Sequence, residues 1–106
     1  MDKTDNLYNA LRGLEKNMSR LANESRYLDY EIMKIFSKRM QAEKKGFRIQ
    51  DDEMHHDCKY IELANGIIAR NERRMRFQRE LHANLLETFN DLIAADLKRI
   101  ILKQFA

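Results

Sequence analysis

LYNALRGLEKNMSRLANESRYLDYEIMKI, residues 7–35, decides the fold. Leu7, Leu11, Leu14, Met18, Leu21, Ser25, Leu28, Ile32 and Ile35 follow one another at alternating steps of four and three, and eight of these nine are apolar. That spacing returns every member to one side of an α-helix, an a/d seam held for about four heptads. Gly13 lies inside the pattern and costs up to ~1 kcal/mol relative to alanine, which a long helix absorbs. Tyr8, Ala22 and Phe36 widen the stripe, and Tyr27, Tyr30 and Met33 fall partly outside it. The helix is expected over about residues 5–45, with Thr4 or Asp5 as its cap.

Beyond this helix the chain breaks once. Gly46 can take the left-handed conformation just past a last turn that carries Lys44 and Lys45 against the carbonyl end of the dipole. Phe47 then folds back toward Ala42. Residues 46–50 form the turn, Asp51 or Asp52 caps a second helix, and that helix runs over about 52–104. Its seam is traced through Met54, Cys58, Ile61, Asn65, Ile68, Glu72, Met75, Arg79, His82, Leu86, Phe89, Ile93, Asp96 and Ile100, nine of them apolar. No proline or glycine pair enforces a stop near Gly66 or Asn71, so one continuous helix is expected. From Leu81 onward the apolar positions spread over roughly 160° of the helix, more than one partner helix covers.

The expectation is an all-α protein. It is an antiparallel helical hairpin forming a single domain over residues 1–106, and it joins a second copy as a coiled coil or four-helix bundle. Composition agrees. The 106 residues hold no proline and three glycines, too little turn chemistry for a sandwich, barrel or dinucleotide-binding fold. Apolar residues make up 43%, so the chain is not disordered by composition. A hairpin about a central glycine is also the plan of the small secreted WXG-type proteins. Their tryptophan is absent, with Lys44 in its place two residues before Gly46, which sets that reading aside.

The start, MDKTDNLYN, has neither a basic region nor an apolar core of the secretory kind. No apolar run approaches the ~20 residues of a membrane span, and 97–102 is interrupted by Lys98 and Arg99. The single cysteine, Cys58, excludes an intrachain disulfide and fits a reducing interior. A cytoplasmic location away from membranes is therefore expected.

Three clusters invite chemistry. Net charge is +3, and Arg70, Arg73, Arg74, Arg76 and Arg79 stand against Glu72 alone. With the basic stretch at 34–48 they are candidates for tracking phosphates, and the pI of 9.1 meets the threshold for a nucleic-acid footprint. The structural alternative is a solvated face, paired with Glu24, Asp29 and Glu31. His55 and Cys58, three apart on one helical side, form half of a zinc-like set. The competing reading is solvated histidines and a buried small thiol, and no metal or other cofactor is expected. Phosphate loops, nucleophile elbows and acid-paired histidines are missing, so no catalytic residue is named and the protein is expected not to be an enzyme.

The favoured function is assembly, adaptor or regulatory work through helix–helix contact with a protein partner, with nucleic-acid binding as the alternative. Two details follow from lengths and seams. A turn centred between 48 and 49 sets Glu72 opposite Ser25 as a shared polar layer. Helices of about 60 Å and about 80 Å, at 1.5 Å per residue, leave the second overhanging the first. The overhang carries Leu97, Ile100, Ile101, Leu102 and Phe105, which are expected to contact a second copy in a homodimer.

Overall fold

The computed structural model describes residues 2–105. Two helices, α1 (Lys3–Lys44) and α2 (Asp51–Phe105), pack against each other as an all-α hairpin, and no strand occurs among the described residues. Their bounds lie within two residues of the sequence expectation, and α2 is unbroken at Gly66 and Asn71.

The ends follow local rules. Asp2, rather than Thr4 or Asp5, caps α1: its Oδ1 accepts from the Asp5 N–H at 2.9 Å, and its carbonyl from Asn6. The aspartate thus serves one of the amides a helix start leaves unpaired. At the other end Gly46 has φ +72°, a conformation that glycine adopts without steric cost. The Gly46 N–H donates to the Glu43 carbonyl and the Phe47 N–H to that of Ala42, which is the Schellman arrangement. Asp51 and Asp52 fall inside the first turn of α2 rather than capping it. The residue before them is Gln50, whose carbonyl accepts from Met54, while Asp51, Asp52 and Glu53 meet the positive end of the dipole.

The hairpin divides into two compact units. In the unit of residues 20–74, α1 buries Leu21, Ser25 and Ile32, and α2 buries Ala64 and Asn71. Asn71 is 1% exposed and donates from Nδ2 to Glu24 Oε1 at 2.9 Å and to Ser25 Oγ at 3.3 Å. This corrects the expected layer: Ser25 is in it, but its partner is Asn71, and Glu72 is exposed. Near the turn, Arg39 donates to the Met54 carbonyl and lies 3.8 Å from the Asp57 carboxylate. Lys38 hydrogen-bonds to Glu53. That bond and the ammonium charge hold the Glu53 carboxyl below its ordinary value. The small support this exposed pair gives is therefore present above the unfolded carboxyl's pKa and fades as pH falls through the folded one.

In the unit of residues 1–19 with 75–106, Leu11 is buried and Tyr8 stacks at a tilt on Phe89, ring centroids 6.4 Å apart. His82 Nε2 meets Glu15 Oε1 at 3.2 Å.

The α1 seam is as the spacing predicts. The α2 seam is not. Its less exposed positions run Asp57, Ile61, Ala64, Ile68, Asn71, Met75, Gln78, His82, Leu85, Phe89, Leu92 and Asp96, with Tyr60 and Ile67 partly covered beside this line. Every second member of the expected line, from Cys58 to Ile93, stands one residue too late. Cys58 is accordingly exposed, not a buried thiol. The observed line places the neutral amides Asn71 and Gln78 inward and leaves Glu72 and Arg79 in water, which avoids the far larger cost of burying ionised groups.

Two stability experiments follow. Asn71→Ala should cost about 1–3 kcal/mol, since it strands the buried Ser25 hydroxyl, whereas Glu72→Ala should stay within about 0.5 kcal/mol. Equal losses in thermal melts would contradict the assigned layer. Gln78 Oε1 is buried with no hydrogen-bond partner. Gln78→Met keeps the side-chain length, removes the stranded acceptor and should raise stability by about 1 kcal/mol, an increase in Tm of roughly 4–8 °C. A lower Tm would mean that the amide is satisfied in solution.

Candidate assembly surface

Tyr8–Phe89 and Glu15–His82 pair at residue numbers that total 97, which puts Lys3, the first residue of α1, level with Ala94. Past that level α2 has no α1 beside it. Leu97, Ile100, Ile101, Leu102 and Phe105 all lie there, each more than half exposed and Phe105 84%.

Their exposure has a second cause. The line that faces α1 continues past Leu92 as Asp96, Arg99 and Lys103, so it turns charged where α1 ends. Asp96 and Arg99 answer each other along the helix. The apolar side chains sit elsewhere: at 100° per residue, Leu97 is about 90° around α2 from the middle of the α1-facing seam. Through it runs a second stripe, Leu86, Asn90, Ile93, Leu97, Ile100 and Gln104, again at alternating steps of four and three. Leu86 and Ile93 are 40% and 36% exposed although α1 lies alongside, so a longer α1 would not cover this stripe. Leu86 and Ile93, which the expected α2 seam includes, belong instead with the candidate tail residues. The 4–3 spacing was the signal available for them.

The other candidates are dispersed. Arg70, Arg73 and Arg74 are exposed in the unit nearer the turn, and Arg76 and Arg79 are exposed in the other. Among the described residues no carboxylate forms an ion pair with any of the five. The acids expected to answer them are engaged or distant: Glu24 accepts from Asn71, and Glu31 pairs with Lys34 in its own helix. Phe77, interleaved among the arginines, is 68% exposed. At the start of α2, His55 is exposed, and the Cys58 sulfur receives a hydrogen bond from Arg39 Nη2 at 3.6 Å. A guanidinium beside the thiol offers a metal no ligand, and no three His, Cys, Asp or Glu side chains gather to hold an ion among the described residues. No helix there is long and apolar enough to cross a membrane.

Comparison with family models, with curated proteins and with solved structures finds no match to this chain.

Proposed function

We propose that this protein is a non-enzymatic assembly, adaptor or regulatory protein that acts through helix–helix contacts, and that it is a homodimer joined through the C-terminal part of α2. One observation carries the reading: the apolar stripe on the overhanging end of α2, turned away from α1. Burying a large aliphatic or aromatic side chain is worth up to ~1.5–3 kcal/mol, so the exposed Leu86, Ile93, Leu97 and Ile100 of the stripe favour a covering helix strongly. Exposed apolar patches rimmed by charge are characteristic of protein contact sites. Helix-in-groove recognition uses this i, i+3, i+4, i+7 pattern of anchors. A reducing compartment such as the cytoplasm suits the lone exposed thiol of Cys58.

Sedimentation at micromolar concentration is expected to give twice the 12.7 kDa chain mass. Leu97→Lys with Ile101→Lys should shift the protein to monomer while leaving its helical circular dichroism unchanged. A wild-type monomer, or a double variant that still dimerises, refutes the role given to the tail.

A second reading is supported by the five unpaired arginines: nucleic-acid binding through Arg70, Arg73, Arg74, Arg76 and Arg79 with the Lys/Arg-rich turn. Phosphate contacts would make affinity fall steeply with salt. The favoured reading treats these groups as a solvated face, so changing Arg70, Arg73, Arg74 and Arg76 to glutamine should leave Tm and dimerisation nearly unaltered. A polyanion affinity at physiological salt that disappears with this substitution would decide for nucleic acid.

A further inference from the structure

The tail has a polarity that bears on how it is covered. Residues 87–96 carry Glu87, Asp91 and Asp96 and no base, and residues 97–105 carry Lys98, Arg99 and Lys103 and no acid. The change of sign falls at Leu97, which is also the centre of the three apolar members Ile93, Leu97 and Ile100 of the second stripe. We propose that the occupant of this stripe is the same stripe of a second copy, laid antiparallel about Leu97. This rests on the reading of the protein as a dimer through α2 and adds the orientation, the register and the residues that set them.

Charge complementarity selects the direction. In a parallel pair the acidic half of each tail would lie on the acidic half of its mate, and the basic half on the basic half. Antiparallel pairing about Leu97 lays the acidic segment 87–96 of each tail along the basic segment 97–105 of its mate, so the two blocks of charge run beside blocks of opposite sign. Like charges across a helix interface disfavour the wrong arrangement, which gives specificity as well as attraction.

The seam chemistry fits the same register. Leu97 meets its own copy at the centre, Ile93 comes within one residue of the level of Ile100 on either side, and the Asn90 and Gln104 amides close the two ends together. Amide against amide satisfies donors and acceptors that would be costly against an aliphatic layer. The contact is isologous, the same patch on both copies, and therefore closes at two chains. Nor does α1 obstruct it, because the stripe lies about a quarter turn around α2 from the α1-facing seam.

Site-specific cross-linking in the full chain separates the orientations. In a Cys58→Ser background, Asn90→Cys and Gln104→Cys are made singly and treated with a short bis-maleimide, alone and as an equal mixture. The antiparallel arrangement predicts a cross-linked dimer in the mixture, several-fold more abundant than in either variant alone. Cross-linking of each variant alone, at least as strong as in the mixture, overturns the orientation while leaving the dimer intact. A monomer by sedimentation overturns the dimer reading as well, so the two failures are told apart. A charge exchange gives an independent readout that needs no cysteine. Asp91→Lys with Asp96→Lys should weaken dimerisation at least tenfold at low salt. Adding Lys98→Glu, Arg99→Glu and Lys103→Glu to the same chain should restore it. Failure of that rescue, in a chain that remains helical, counts against the antiparallel register.

Discussion

A carboxamide with almost no access to water must find its hydrogen bonds inside the protein, and Asn71 finds two of them on one stretch of α1. Glu24 and Ser25 are the acceptors. Slipping α2 by one heptad in either direction would put Met18 or Ile32 in the place of Ser25, so that one of the two acceptors would be lost. The aliphatic members of both seams would tolerate such a slip, since one Leu–Ile layer resembles the next. The polar layer therefore supplies register where apolar packing supplies attraction, the division of labour seen when a single polar seam position specifies pairing.

The two helices are not equivalent. The leucine-rich seam of α1 faces α2, and its outer positions in the first nineteen residues are mostly polar. Toward its C-terminus α2 carries two stripes, one spent on α1 and one left in water. Where α1 stops, the first stripe becomes Asp96, Arg99 and Lys103, side chains that solvent accepts, while the second continues with Leu97 and Ile100. A helix that merely outran its partner would leave its α1-facing seam apolar. Past the start of α1 that seam is charged, and the exposed apolar side chains lie elsewhere around the helix.

The basic side chains from Arg70 to Arg79 are exposed. Arg70, Arg73, Arg74, Arg76 and Arg79 surround the stretch of α2 where the inward residues are Asn71, Met75 and Gln78, the most polar part of the interface. Little apolar area is gained there, and long charged side chains keep the outer surface of the helix hydrated.

Much of the architecture was legible in the residues alone, for local reasons. Alternating steps of three and four make α1 a helix with one apolar side whatever it packs against. Absence of proline keeps α2 continuous, and Gly46 after two lysines ends α1 by rules that act within a single turn. The tail residues were legible too, as apolar side chains past the reach of a shorter partner. What α2 turns toward α1 was not. Its two stripes overlap, so a line drawn through the apolar residues takes one member from each and puts Glu72, rather than Asn71, opposite Ser25. The difference is one residue, about 100° of rotation, and periodicity weighs both lines almost equally. Only the pairing itself decides between them, because the inward side of α2 is chosen by what α1 presents at that level: a hydroxyl and a carboxylate that can hold a neutral amide and would repel a buried glutamate.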